Sequence, residues 1–190
     1  MPLLQIIVAS TRPGRVGRAV ADWVVDVARE HGGFEVQLVD LAEVNLPFLD
    51  EPNHPSMREY THRHTLDWSA TVDAADAFVF VMPEYNFSFN APLKNALDFL
   101  YYEWQYKPVG FVSYGNTSAG LRAVQMIKQV VTTLKMMPIP EGVPIHYVSK
   151  CIEDGRFVAA EAMRDGAQAM LDELGRLAPA LGTVREAAAG

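Results

Sequence analysis

The sequence has little cysteine, no long apolar run and no excess of basic charge. Cys151 is the only cysteine among 190 residues, so an intrachain disulfide cannot form and a reducing, cytoplasmic setting is expected. The longest apolar run, residues 77–83, is far shorter than the about 20 residues of a membrane span. The apolar start of the chain lacks a basic leading segment, so we expect no signal peptide.

Acidic residues outnumber basic ones, 23 to 16, which gives a formal net charge of −7. A dedicated nucleic-acid-binding protein normally presents a basic face, so we expect no nucleic-acid partner. Hydrophobic residues make up 49% and charged residues 21%, which is ordinary for a globular protein and excludes a disordered chain or a disulfide scaffold. A length of 190 residues corresponds to one domain.

Segments that suit strands alternate with segments of helical periodicity along the whole chain. Most of the predicted strands are apolar at nearly every position, which is typical of a parallel sheet covered on both faces. The predicted strands are 3–9, 34–41, 77–82, 109–113 and 143–148, and the predicted helices are about 16–31, 56–74, 92–101, 121–135 and 163–181. The proline-rich stretch 42–55 is predicted to be a loop.

This pattern predicts an α/β fold, a flavodoxin-like three-layer sandwich whose five-stranded parallel sheet has the order 2-1-3-4-5. We expect a single domain over residues 1–182 and a flexible tail over 183–190, where no periodicity is visible. In such sheets a ligand binds beyond the carboxyl ends of the strands, at the switch point between strands 1 and 3. The loops after strands 1, 3 and 4 are therefore the candidate site.

Loop one, residues 10–18, carries two hydroxyls, two glycines and three arginines between a strand and a helix N-terminus. Free N–H groups and the helix dipole favour a phosphate there, and an arginine fork can clamp it. The alternative is an ordinary charged surface loop with a hydroxyl as helix cap. Neither a Walker A pattern nor a G-x-G-x-x-G fingerprint is present, which disfavours a P-loop NTPase or a standard dinucleotide fold.

Loop two, residues 83–90, offers aromatic surface and amide groups, which a planar heterocycle requires. Loop three, residues 113–120, is rich in small residues that let a ligand approach the main chain. Each has a plain alternative: the aromatic residues of loop two would cover the core or a subunit contact, and loop three would be a simple strand-to-helix turn.

The motif Pro83-Glu84-Tyr85-Asn86, followed by Leu93-Lys94-Asn95-Ala96 and Asp98, resembles the NAD(P)H-dependent FMN reductase family, which includes quinone, azo-dye and chromate reductases. Ser10 and Arg12 after strand 1, and the segment 112–115 with Gly120, are spaced as in that family. The similarity covers roughly residues 3–148. The middle motif is specific, whereas either outer motif alone is weak.

The resemblance implies non-covalent FMN, with NADPH or NADH as co-substrate, and chemistry centred on the flavin without an essential catalytic side chain or metal. It implies that loop one holds the FMN phosphate, loop two one side and edge of the isoalloxazine, and loop three its pyrimidine end. The implied cofactor-binding residues are Ser10, Thr11, Arg12, Arg15, Gly17, Arg18, Pro83, Glu84, Tyr85, Asn86, Ser113, Tyr114 and Gly115. Asn116 departs from the glycine found in many relatives, which affects the expected substrate preference.

The expected reaction passes a hydride from NAD(P)H through FMN to a quinone-like or other small acceptor by a ping-pong mechanism. One alternative is a non-catalytic FMN electron carrier or flavin redox sensor; another is a flavin-free domain for a different phosphate ligand. The resemblance implies a homodimer or homotetramer, and the aromatic run 99–106 is a candidate subunit contact. We expect no metal at His54, His62 and His64, because helical i,i+2 spacing would point the last two apart, and we expect Cys151 to be inert.

Overall fold

The computed structural model describes residues 1–189 and contains a five-stranded parallel sheet, a small hairpin and six α-helices. The sheet order is β2-β1-β3-β4-β5, which confirms the predicted fold. The strands are β1 (Leu3–Val8), β2 (Glu35–Asp40), β3 (Ala77–Pro83), β4 (Pro108–Tyr114), β5 (Met137–Ile145), β6 (Ile152–Glu153) and β7 (Arg156–Phe157). The helices are α1 (Gly17–His31), α2 (Leu41–Val44), α3 (Arg63–Asp73), α4 (Ala91–Asp98), α5 (Leu121–Thr133) and α6 (Glu161–Ala189).

Alternate residues of the central strands pack into two separate apolar layers. In β3, Val79 and Val81 face α1 and α6, whereas Phe78 and Phe80 face α3, α4 and α5. All seven residues of β3 are buried, because helices cover both faces of a parallel sheet. This arrangement leaves the loops at the carboxyl ends of β1, β3 and β4 at one edge of the molecule.

The fifth strand lies earlier in the chain than the sequence predicts. It spans Met137–Ile145 rather than 143–148, and it contains Pro138, Pro140 and Pro144. Proline lacks the N–H that a central strand must donate, which is why the local pattern did not extend the predicted strand back to residue 137. The strand pairs with β4 alone, and an edge strand tolerates proline because one side of it has no partner.

The predicted helix 56–74 is wrong in its first third. A 3-10 turn spans Pro55–Met57, Arg58 has a φ of 57°, and α3 begins only at Arg63. The fully buried carboxylate of Glu103 explains why the helix does not begin earlier. This carboxylate accepts hydrogen bonds from Tyr60 and Ser69 and forms an ion pair with Arg58. Satisfying a buried charge outweighs continuing the helix.

Three further local differences occur. The predicted loop 42–55 includes most of the short helix α2, which the Asp40 side chain caps, and β6 and β7 form a hairpin that the sequence did not predict. Residues 183–189 of the expected tail continue α6, and Arg185 of this segment forms an ion pair with Asp76; residue 190 lies outside the described part. No helix among the described residues is long and apolar enough to cross a membrane.

Candidate functional site

Loop one runs from the buried end of β1 to the first turn of α1. Ser10 is 1% exposed, whereas Thr11 and Arg12 face solvent. The Arg15 amide donates to the Arg12 carbonyl, which closes a turn. The exposed guanidinium of Arg12 has no ion pair within residues 1–189, so it is available to an anion.

Gly17, the first residue of α1, lies against two buried hydroxyls. A Cβ atom at this position would collide with Ser10 Oγ and with the hydroxyl of Tyr114, so the position requires glycine. Apart from each other, these two hydroxyls have no hydrogen-bond partner among the described residues, although buried polar groups that lack partners are costly and rare. Burial raises the pKa of Tyr114 to about 12, so this phenol stays a neutral donor at physiological pH.

The position of Tyr114 was not apparent from the sequence. The residue is the last of β4, at the start of loop three, where the pyrimidine end of a flavin was expected, but its hydroxyl reaches loop one. β4 lies beside β3, which in turn lies beside β1, so the side chain crosses a neighbouring strand. The structure therefore connects the first and third loops through one side chain.

Arg15 and Arg18 are turned towards Asp40 at the end of β2. Arg15 donates two hydrogen bonds to the Asp40 carboxylate, at 2.6 and 2.7 Å, and one to the carbonyl of Ser10. Arg18 lies 3.5 Å from the same carboxylate. Burial opposes ionisation of Asp40, but hydrogen bonds from Arg15 and the Ala42 amide, with both positive charges, lower its pKa. Of the three loop-one arginines, Arg12 is the one that has no ion pair within residues 1–189.

Loop two ends in a tight hairpin turn. The main chains of Tyr85 and Ser88 exchange two hydrogen bonds of 2.9 and 3.0 Å. Asn86 and Phe87 between them have φ values of 51° and 70°, as a type I′ turn requires. Tyr85 and Phe87 are 41% and 65% exposed, so the tip presents aromatic surface to solvent.

The Glu84 side chain joins loop two to the start of α5. Its carboxylate, 5% exposed, accepts hydrogen bonds from Ser118 Oγ, from the Arg122 amide and from Arg122 Nε. Burial opposes ionisation, but the hydrogen bonds from Ser118 and Arg122 lower the pKa of Glu84. A carboxylate at a helix N-terminus is also favoured by the helix dipole, and it remains ionised at neutral pH.

Loop three is fixed mainly through its own main chain. Ser113 is buried and donates to the Ala119 carbonyl at 2.8 Å. The Gly115 amide donates to Ile145, and the Tyr114 carbonyl accepts from the Glu84 amide at 3.0 Å. The Asn116 side chain is exposed. Loops two and three thus meet through both backbone and side-chain contacts.

Two contributors were missed at the level of sequence. Asn90 donates to the Ala9 carbonyl at 2.6 Å, and its side-chain oxygen is buried without a partner in the described chain. Arg122 forms the ion pair with Glu84. Its place in the first turn after loop three was the available signal, because that turn lies at the same sheet edge.

The three histidines and the aromatic run lie outside the three loops. The His62 and His64 rings stack 5.2 Å apart, so the expectation that they point apart is wrong: His62 precedes α3 and has an extended backbone. No metal-binding group occurs among residues 1–189. Of the aromatic run, Phe99 and Trp104 belong to the core, whereas Tyr102 is 44% exposed.

Residues 2–149 match the model of a family described as NADPH-dependent FMN reductase. The chain is 41% identical over 141 residues to an NAD(P)H-dependent FMN reductase of Schizosaccharomyces pombe, covering 73% of this chain and 70% of that protein. It is 34% identical over 166 residues to an NAD(P)H-dependent FMN reductase of a Nectria species, covering 82% and 83%. Among solved structures, FerB of Paracoccus denitrificans, a flavoenzyme NAD(P)H:(acceptor) oxidoreductase, superposes with a TM-score of 0.74 at 17% identity, covering 94% of this chain and 98% of that one.

Proposed function

Because the chain belongs to the NADPH-dependent FMN reductase family, we propose that it passes reducing equivalents from NAD(P)H through FMN to a quinone-like or other small acceptor. Family membership confirms the predicted enzyme class, and FMN with a nicotinamide co-substrate as the predicted cofactors. The acceptor, the order of the steps and the residues that hold FMN are the proposal. When bound, FMN accepts a hydride and releases two electrons to an acceptor.

The phosphate end of FMN fits loop one. The observation that carries this assignment is the pair of adjacent buried hydroxyls of Ser10 and Tyr114 at the first turn of α1, which have no partner in the described chain beyond each other and lie near the exposed guanidinium of Arg12. Hydroxyl donors, a guanidinium and the N–H groups of a helix N-terminus together suit a phosphate dianion. Thr11 adds a further exposed hydroxyl, and Gly17 keeps the approach to the helix open.

We assign Arg15 and Arg18 a supporting part in this phosphate site. Arg15 donates hydrogen bonds to both the Ser10 carbonyl and the Asp40 carboxylate, so it fixes the conformation of loop one against the end of β2. Arg18 shares Asp40 and also pairs with Asp22 and Glu43. The positive charge of both residues is largely balanced by these carboxylates, which leaves Arg12 as the main source of charge towards the ligand.

The isoalloxazine fits the space where loops two and three meet. Tyr85 and Asn86 would cover one side and edge of the ring, and Pro83 and Glu84 would contribute main chain, because the Glu84 carboxylate is taken by Ser118 and Arg122. In loop three, Ser113, Gly115 and the main chain of Tyr114 would meet the pyrimidine end. The amides of Glu84 and Gly115 already donate to the carbonyls of Tyr114 and Ile145, so they hold the two loops in shape for the ring.

We expect ping-pong kinetics, because the nicotinamide and the acceptor would use the same open side of the site in turn. Initial rates measured at several fixed concentrations of a naphthoquinone, with NADPH varied, should give parallel double-reciprocal lines. Intersecting lines would mean that both substrates bind at once, which would overturn the single-site mechanism while leaving the cofactor assignment intact.

We also propose a cytoplasmic homodimer or homotetramer without a nucleic-acid partner. A groove of about 650 Å³ between α4 and α5 supports a second copy, since it is lined by Leu97, Leu100, Tyr101, Val130 and Leu134 among others. Apolar surface of this kind is typical of subunit contacts. Light scattering on a sizing column should give a mass of about two or four times 21.0 kDa, and a monomer at micromolar concentration would contradict the proposal.

A further inference from the structure

The tip of loop two holds an exposed aromatic side chain in an unfavourable backbone conformation. Phe87 has a φ of 70°, a left-handed conformation that is sterically costly for a bulky residue and routine for glycine. Its ring is 65% exposed, so little apolar surface is buried in return. Strained conformations of this kind concentrate at functional sites, where surrounding contacts maintain them.

One face of this ring is covered by a guanidinium. Arg122 Cζ lies 3.7 Å from the centroid of the Phe87 ring, within the range of a cation–π contact. Arg122 is itself held by Glu84, whose buried carboxylate also accepts from Ser118 and from the Arg122 amide. The chain of contacts therefore runs from a buried carboxylate, through an oriented guanidinium, to an exposed aromatic ring.

Phe87 and Arg122 lie at the sheet edge where the flavin site is proposed. Phe87 follows β3, and Arg122 opens the helix that follows β4, so both stand at the carboxyl edge of the sheet. The hairpin hydrogen bonds between Tyr85 and Ser88 fix the backbone of the tip. The main chain and the guanidinium together hold the ring in place, which is the preorganisation that a stacking surface needs.

We propose that Phe87 is a specificity-determining residue whose exposed ring stacks against the planar electron acceptor, and that Arg122 is the positioning residue that holds it. The proposal rests on the proposed function, because it places the acceptor at the flavin site. The acceptor it concerns is a flat, conjugated ring compound, such as the quinone of the proposed function, since offset stacking needs a ring on each side. An acceptor without a ring would gain nothing from Phe87.

The test compares a naphthoquinone with hexacyanoferrate(III), an octahedral acceptor that has no ring to stack. Phe87→Gly should raise the KM for the naphthoquinone about tenfold and leave the KM for hexacyanoferrate(III) within about twofold. Because glycine relieves the left-handed strain, the variant should unfold at the same or a higher temperature than the wild type. Phe87→Trp, which keeps a ring, should retain the low KM for the naphthoquinone.

Arg122 is tested by variants that keep its backbone bond to Glu84. Arg122→Met should raise the naphthoquinone KM by several-fold with little change in kcat, and Arg122→Lys should restore part of the loss, because a lysine also provides a cation. A matched control is Tyr102→Leu, which removes an exposed ring that lies 5.8 Å from the Arg58 guanidinium but follows α4, away from the three loops. It should leave both KM values unchanged.

The outcomes separate this inference from the proposed function. Anaerobic NADPH is first added to the FMN-loaded wild type, and loss of the flavin absorption band must follow if the proposed function holds. If the band is lost but Phe87→Gly leaves the naphthoquinone KM unchanged, or raises the KM for NADPH instead, the inference about the acceptor is wrong. If the wild type does not lose the band, both proposals fail together.

Discussion

The carboxylate of Asp40, at the end of β2, accepts two hydrogen bonds of 2.6 and 2.7 Å from the guanidinium of Arg15 in loop one. Asp40 is 3% exposed, and Arg15 carries the connection on to the Ser10 carbonyl. The shape of the proposed phosphate loop therefore depends on an ion pair that does not itself need to touch the phosphate.

Asp40→Asn should lower the free energy of unfolding by about 3 kcal/mol, because it leaves a mostly buried guanidinium without its carboxylate. Asp22→Asn, which removes an exposed partner of Arg18, should change it by less than about 0.5 kcal/mol. Urea denaturation at pH 7 measures both changes. Equal effects of the two substitutions would show that the buried ion pair contributes no more to stability than the exposed one.

The same pair predicts an acid-dependent part of stability. The folded-state pKa of Asp40 is lowered, so its contribution is complete above the unfolded value of about 3.9 and is lost as pH falls further. Asp40→Asn should therefore remove part of the loss of stability that the wild type shows below about pH 4. A variant with an unchanged acid unfolding profile would contradict the assignment.

Ser10→Ala and Tyr114→Phe should affect cofactor binding more than the stability of the free protein. Each removes a buried hydroxyl that has no partner in the described chain beyond the other one, so the free energy of unfolding of the FMN-free protein should change by no more than about 1 kcal/mol. If Ser10 bonds the phosphate and Tyr114 supports it, FMN affinity should fall, by about tenfold for Ser10→Ala. Thermal unfolding without FMN measures the stability of the free protein, and the shift that FMN causes reports its affinity. A large loss of stability without FMN would contradict the assignment of these hydroxyls to the cofactor.

Arg12→Ala should weaken FMN binding by about 10- to 100-fold, the range of a charge-assisted hydrogen bond, and should leave riboflavin binding unchanged because riboflavin lacks the phosphate. Arg29→Ala, at an exposed position in the last turn of α1, serves as the charge-matched control. Flavin fluorescence titrations at low and moderate salt measure the affinities. Equal losses for FMN and riboflavin would place Arg12 away from the phosphate.

Because Lys107 is buried, we expect the free energy of unfolding to increase as the pH rises above about 8. It is 1% exposed, it donates to the carbonyls of Val72 and Asp73, and burial together with the charge of Arg185 lowers its pKa to about 8. The unfolded chain keeps that proton up to about pH 10.4, so between pH 8 and pH 9.5 the unfolded state binds more protons. Folding stability should rise by about 2 kcal/mol over this window.

Urea denaturation of the wild type and of Lys107→Met across this window checks the prediction. Methionine keeps an unbranched apolar stem at the site but cannot titrate, so the rise should disappear in the variant. The same slope in both proteins would mean that another group causes it.

The sequence predicted the layers and the sheet edge that carries the site, because these follow from local patterns. Residues 77–82 are apolar at every position, and only a strand covered on both faces is buried throughout. The prolines explain why the first part of β5 was not predicted, since a local pattern does not distinguish an edge strand that contains proline from a loop. The helical part of the expected tail depends in part on Arg185 reaching Asp76, a contact between residues far apart in the chain.

Within the site, sequence spacing identified the loops but not the direction of their side chains. Arg12, Arg15 and Arg18 are equivalent as a pattern, and only the packing of β2 beside β1 sets Asp40 against the second and third. Tyr114 reaches Ser10 across an intervening strand for the same reason. The strand order was predicted and confirmed, but which side chains meet across it depends on rotamers and on contacts between residues far apart in the chain, which no local pattern encodes.

The most direct test of the central claim is a visible absorption spectrum of the protein after incubation with FMN and desalting, taken before and after anaerobic addition of NADPH. We predict a retained flavin band that bleaches directly to the fully reduced form. A retained band that NADPH leaves unchanged would indicate an electron carrier or redox sensor, and a protein that retains no flavin would contradict the cofactor assignment itself.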